Sequence, residues 1–327
     1  MGKYGTIFLG NDARTYGKEG TGWVDYDPDF ECTGGPIGSP DRKCPYTLNT
    51  ASQEETLGKA NDDSDRYLHI SIPSYRDLMC PQTLYNIFSK AEEPKKIHVR
   101  VLEQYDPDKD KACIDAYCKL YADGNCLYQN QITMYRIDAK DAAGPTWARG
   151  LLGKHVEEAF KEGMISPQDF CMSTDSHMDF EPHWDTNMKQ MWTLANNEYA
   201  VLSTYVAGTE QLGRNVNHRY EVPHLCMVKF TENVRTHATK CAQNLSKPKL
   251  TNAIWGAGLS FSKCHADLKV PVDPHTPGVF DGEEFNRAAR FFTHGYDIYT
   301  PHRVYVLHNY HKSDYDQGGF SWVSLPT

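Results

Sequence analysis

From residue 66 onward the apolar residues switch repeatedly between two periods, and no other feature limits the possible folds as strongly. "RYLHISIPSY" reads as a buried strand that ends in a turn. "QTLYNIFSKA" sets Leu84, Ile87, Phe88 and Ala91 on one helical face, and "KIHVRVLEQ" returns to a strand in which Ile97, Val99 and Val101 alternate. After a cysteine-bearing loop, Gly144-Pro145 opens a helix with the stripe Leu152, Val156, Ala159 and Phe160. "DFCMST" is a further strand. Trp184, Met188, Met191, Trp192 and Ala195 then line a helix, and "YAVLSTYV" is the next strand. Such alternation predicts an α/β fold with a central, mostly parallel sheet flanked by helices. Open sheets of this kind take ligands beyond the carboxyl ends of their strands, which points to the residues just after "DFCMST".

Residues 1–65 read differently: they are rich in Gly, Asp and Pro and hold one short apolar run, Ile7 to Leu9. They are expected to form an irregular N-terminal extension ahead of a domain spanning 66–327. Gly2 with Thr6 fits the loose myristoylation pattern. No run approaches 18 apolar residues, so no transmembrane segment is expected. With 43 acidic against 34 basic residues and a formal charge of −9, a general affinity for nucleic acid is not expected either. The ten cysteines are irregularly spaced, without a C-x-x-C pair and without a signal peptide ahead of them. They are expected to be reduced thiols in a cytoplasmic protein.

The segment "STDSHMDF" packs two aspartates around one histidine at the predicted strand end. Asp175 and His177 stand two positions apart, so both side chains can point the same way. A carboxylate oxygen and an imidazole nitrogen suit Mn²⁺, or Mg²⁺ in its place, and such a cation could bridge the phosphates of a nucleotide sugar. A third ligand is needed, and "RVYVLHNYHK" offers His308, with His311 behind it. Alone, the triplet fits equally a capping Asp175 beside a hydrogen-bonded His177. A rival set is His177 and Asp179 with a distant histidine, the iron site of 2-oxoglutarate oxygenases.

In order along the chain, "ISIPSYRD", "CPQTLYNIFSKA", "VRVLEQ", "AGPTWARGL", "DSHMDFEPHWD", "NEYAVLSTY", "VPVDP", "FDGEEFNRAARFFTHGYDIYTP" and "LHNYHK" resemble the hydroxyproline-directed polypeptide N-acetylglucosaminyltransferases. These are retaining enzymes of the GT-A fold, related to the polypeptide GalNAc-transferases. The resemblance runs over residues 66–311 and implies a GT-A domain, UDP-GlcNAc as donor and a polypeptide hydroxyl, on hydroxyproline or Ser/Thr, as acceptor. It also implies that Asp175, His177 and His308 hold the metal. Arg76, Asp77, Arg149, Ser176 and Trp184 would lie at the nucleotide, although Trp184 also heads an apolar stripe, as a core residue would. Asp281, Glu283 and Glu284, just ahead of a helix expected to bear Phe285, Ala288, Ala289 and Phe292 on its apolar face, would face the sugar and acceptor, though as first-turn acids they also complement a helix dipole. A binding module that kept the fold without turnover is the remaining alternative. The oligomeric state is left open.

Overall fold

The computed structural model describes residues 63, 65–121, 125–213, 221–231, 234–243, 245–251 and 255–311. The expected N-terminal extension, Gly2 included, falls outside the described residues except at its very end. Strand β1 (Leu68–Tyr75) is followed by helix α1 (Cys80–Ser89), β2 (Ile97–Tyr105), α2 (Cys113–Cys118) and β3 (Ile132–Asp138). Helix α3 (Pro145–Lys161) leads into β4 (Phe170–Thr174), β5 (Met178–Phe180), α4 (Trp184–Leu194), β6 (Ala200–Ser203) and β7 (Ala207–Gly208). An antiparallel hairpin follows, β8 (Glu221–Thr231) with β9 (Val234–Gln243). The chain continues through β10 (Lys249–Leu250), β11 (Leu259–Lys263), α5 (Cys264–Lys269), α6 (Glu283–Thr293), β12 (Asp297–Thr300) and β13 (Val306–His308).

The main sheet has the order β10-β12-β6-β11-β4-β1-β2-β3. The pairs β1–β2, β2–β3, β1–β4 and β6–β12 are parallel. Only β11, between β4 and β6, and β10, at the edge, run against the rest, so the mostly parallel α/β sheet is as expected. Its centre is dry: Leu68, Ile70 and Ile72 of β1 join Val99 and Val101 of β2, Leu84, Ile87 and Phe88 of α1, and Trp184, Met188, Met191 and Trp192 of α4 in one buried cluster. Burying each such side chain stabilises the fold by about 1.5–3 kcal/mol, while the opposite face of β1 and β2 buries the polar pair His69 and Arg100.

Two expected apolar positions are corrected. Helix α3 buries Ala148, Leu152, Val156 and Ala159, which leaves Phe160 one position past the seam and exposed. On α6 the buried residues are Glu283, Arg287, Ala288 and Phe291, while Phe292 is 61% exposed. Ion pairs set that face, because Glu283 meets Arg149 and Arg287 meets Asp267. Gly150 lets α3 approach the 271–274 loop, since a Cβ there would stand 2.5 Å from the Cα of Pro274.

The expectation of reduced thiols is also corrected: Cys80–Cys113, Cys118–Cys126 and Cys171–Cys264 are disulfides. Cys171 and Cys264 are 93 residues apart in sequence, yet β4 and β11 pair antiparallel and Cys264 directly follows β11. Spacing along the chain carries no trace of that adjacency. Among the described residues, no helix is long and apolar enough to cross a membrane.

Candidate functional site

Strand β4 ends at Thr174 and releases Asp175, Ser176 and His177 at the carboxyl edge of the sheet. Two devices then fix His177. The Thr83 hydroxyl of α1 donates to the carbonyl of Ser176 (2.7 Å) and accepts from the N–H of Met178 (2.9 Å), clamping the backbone on both sides. On the other flank, β13 pairs antiparallel with β5, so that His308 stands opposite Met178, and the Asn309 N–H donates to the carbonyl of His177 (2.9 Å). Strand β7 lies parallel along the far side of β13 and completes a small three-stranded sheet.

This pairing brings together two histidines 131 residues apart. Their Nε2 atoms are 2.9 Å from each other, and His308 Nε2 is 3.6 Å from Asp175 Oδ2. One ligand atom from each of Asp175, His177 and His308 lies within 4.8 Å of the others. Donors separated by about 3 Å are what metal–ligand bonds of about 2.1 Å to one centre produce, and a mixed nitrogen and oxygen set suits a divalent cation. Burial holds the His308 imidazole down at about 4 despite Asp175 beside it, so at neutral pH the ring is uncharged and can offer a lone pair.

Behind the donors lies a buried ion-pair relay. Arg149, 7% exposed, gives Nη2–H to Asp175 Oδ1 (2.7 Å) and Nη1–H to Glu283 Oε2 (2.8 Å). Burial disfavours the carboxylate of Asp175, yet Arg149, then His177 and His308, pull its carboxyl below the ordinary range. Burial likewise works against the Arg149 charge, and Glu283 and Asp175 more than offset it. Asp175 thus spends one oxygen on Arg149 and turns the other toward His308. Glu283 enters from Gly282, whose φ of 95° makes the left-handed turn into α6, a conformation that would strain other residues. Its second oxygen, Oε1, is buried with no hydrogen-bond partner. Glu284 lies 3.4 Å from the Tyr205 hydroxyl, and burial pushes its carboxyl above the usual range. Asp281, named with them, is exposed.

Other expected site residues are placed differently. Arg76 is engaged with Asp110 through two hydrogen bonds (2.8 and 2.9 Å) and sits at φ 45° in the turn after β1. Asp77 and Ser176, both expected at the nucleotide, bind each other: Asp77 Oδ2 accepts from the Ser176 hydroxyl (2.5 Å) and from His177 Nδ1–H (2.7 Å). Trp184 is a correction. It is 0% exposed in the main core and its indole N–H donates to the carbonyl of Ile87 (3.0 Å), so it offers no face to a ligand. The iron alternative is corrected too: Asp179 is ion-paired to Lys90 (2.5 Å) and lies outside the donor cluster, and the sheet is no all-β roll. His311 is exposed beyond β13 and also outside the cluster.

Sequence reading missed Thr83, Asp110 and Tyr310. The Tyr310 ring is 4.1 Å from that of His308 (centroid to centroid) and largely exposed. Its place two residues after His308 was a usable signal, since alternate residues of an extended segment share a side. Nothing local marked Thr83.

A family model described as Glycosyltransferase (GlcNAc) matches residues 67–123 and 109–317. No curated protein matches the chain in sequence. Among solved structures, GalNAc-T7 with UDP, GalNAc and Mn²⁺ is similar over 75% of this chain at 12% identity with a TM-score of 0.52, and the chain spans 44% of that protein's length. S. aureus TarS 1-349 in complex with UDP-GlcNAc is similar over 80% of this chain and 62% of its own, at 10% identity and a TM-score of 0.46. The fold is that of the GT-A glycosyltransferases.

Proposed function

The chain belongs to the glycosyltransferase (GlcNAc) family, and from that premise we propose that it moves N-acetylglucosamine from UDP-GlcNAc to a hydroxyl on a polypeptide, hydroxyproline or Ser/Thr, with retention at the anomeric carbon. The observation that carries this reading is the convergence of Asp175, His177 and His308 at the carboxyl edge of the sheet. These three would hold Mn²⁺ or Mg²⁺, as the Mn²⁺ in the solved GalNAc-T7 also suggests. A bound divalent cation supplies positive charge against a diphosphate leaving group.

The chain's own residues do the rest. Arg149 keeps Asp175 ionised and its free oxygen aimed at the histidines, and it adds fixed positive charge behind the leaving group. The unpartnered Oε1 of Glu283 can accept a hydrogen bond from a sugar hydroxyl or amide, and Glu284, next to it in α6, would face the sugar or the acceptor. No residue needs to act as a nucleophile: the acceptor oxygen would attack the face the diphosphate leaves, the anomeric C–O bond to phosphate breaking as the new glycosidic bond forms. The hydroxyl proton would pass to a phosphate oxygen of the departing UDP, with positioning supplying most of the rate. The three disulfides among the described residues favour work in an oxidising compartment over the cytoplasm.

The test is UDP release from UDP-GlcNAc, UDP-GalNAc and UDP-glucose with Mn²⁺ and no acceptor. Release from UDP-GlcNAc above the other two, abolished by chelation and in Asp175→Ala and His308→Ala, is the expected result. UDP binding without turnover of any donor or acceptor would favour a binding module. No release together with UDP binding that ignores the metal would defeat the proposal.

A further inference from the structure

We propose that Asp77 is the positioning residue of the donor cluster: its carboxylate fixes the tautomer and ring orientation of His177 and so sets the affinity of the site for a divalent cation. This rests on the reading of Asp175, His177 and His308 as metal ligands.

Asp77 sits in the turn after β1, 100 residues before His177. Its side chain is 3% exposed and every contact it makes points inward. Oδ1 accepts the N–H of Met79 (2.7 Å), which fixes the carboxylate against the entry to α1. Oδ2 accepts from Ser176 Oγ (2.5 Å) and from His177 Nδ1 (2.7 Å). An ionised carboxylate can only accept, so the imidazole proton is on Nδ1 and Nε2 carries the lone pair. That lone pair faces His308 and Asp175, where a cation would sit. A ligating histidine backed by a carboxylate is oriented and made more basic by it, and losing such a partner typically weakens metal binding about 10–100-fold.

The two histidines are unequal in this respect. His308 Nδ1 is buried with no hydrogen-bond partner, so its ring is placed by backbone pairing in β13 and by the Tyr310 ring against it. Asp77 is therefore the one carboxylate seen backing a ring nitrogen of this pair among the described residues. Its own support is also built in. Arg76 is tied to Asp110, and Cys80, three residues on, is disulfide-bonded to Cys113, so the turn that carries Asp77 is pinned twice to the segment after β2. Nothing in that arrangement places Asp77 in contact with a substrate, and it acts through His177.

The experiment is Mn²⁺ titration followed by electron paramagnetic resonance of the free ion. It uses the whole chain, with unaltered protein, Asp77→Asn and Asp175→Ala, each checked for unchanged circular dichroism. Asp77→Asn is expected to bind Mn²⁺ about 10–100-fold more weakly, and Asp175→Ala to lose binding altogether. Mn²⁺ affinity within twofold of normal in Asp77→Asn, with binding lost in Asp175→Ala, overturns the inference and leaves the metal site standing. Unchanged binding in Asp175→Ala defeats the metal reading itself. Should Asp77→Asn fail to fold, nitrogen-15 NMR of the unaltered, metal-free protein decides. The signals that disappear in His177→Gln must be those of a ring protonated on Nδ1, and protonation on Nε2 would refute the assignment.

Discussion

Arg149→Met isolates the contribution of the buried relay between Asp175 and helix α6. The substitution keeps most of the side-chain volume and removes one cation held at 2.7 Å from Asp175 and 2.8 Å from Glu283. At 7% exposure for the arginine side chain, water cannot take over its role, so a buried Glu283 and a partly exposed Asp175 are left without their counter-charge. Breaking a buried pair in this way costs about 3–5 kcal/mol, far more than the pair adds over an apolar replacement of both partners. For a chain of this size, at roughly 2 °C per kcal/mol, the melting temperature should fall by about 6–10 °C. Urea unfolding followed by tryptophan fluorescence measures the loss directly. Adding Glu283→Gln removes one orphaned charge, so the double variant should recover more than about 1 kcal/mol over Arg149→Met alone. The loss should also shrink below neutral pH, because an unpaired buried carboxylate binds its proton more tightly folded than unfolded. A cost under about 1 kcal/mol, or a double variant less stable than Arg149→Met, would refute the relay as the reason for the arginine's burial.

Acid should unfold the protein in a window set by its buried histidines, among them His308, His224, His302 and His69. Burial holds His308 at about 4, and burial with Lys249 nearby holds His224 at about 3, both below the ordinary value of 6.5. The unfolded chain therefore binds the extra protons, stability is complete above about 6.5, and each ring costs about 2 kcal/mol by pH 5 in a urea series. Trp184→Phe should lower stability by about 1–3 kcal/mol, through the lost indole bond to Ile87 and the void left behind, while the donor KM stays unchanged. A raised KM would return Trp184 to the nucleotide. Alkylation of unfolded, unreduced protein should leave Cys80, Cys113, Cys118, Cys126, Cys171 and Cys264 unlabelled by mass spectrometry until a reductant is added. Labelling of the six without reductant would contradict the paired state.

What the sequence disclosed and what it hid divide along physical lines. Strands whose apolar residues alternate or run together and helices with a continuous stripe announce themselves locally, so β1, α1, β2, α3, β4 and α4 were legible from period alone. Helix α6 was legible as a helix but its inward face was not, because Glu283 and Arg287 are buried by partners on other elements and the apolar count pointed at Phe292 instead. The donor triplet was legible as Asp175-x-His177 with either His308 or His311 as a third candidate, and motif order chose His308; the strand pairing that joins them across 131 residues leaves no local mark. The role of Asp77 was hidden for the same reason: a carboxylate in a loop reads as solvated until the fold places an imidazole against it. The cysteine reading failed where it relied on spacing in place of adjacency.

The short pairing of β13 with β5 has a consequence for how the molecule matures. Three residues at the end of the described chain carry the last donor, and their register against Met178–Phe180 decides on which side of the strand the ring of His308 emerges. The main sheet does not include this seam, so the proposed third donor would join the other two only where β13 pairs with β5. A cation that prefers the closed seam would in turn act as its latch, so that occupancy and the docking of β13 would become a single equilibrium.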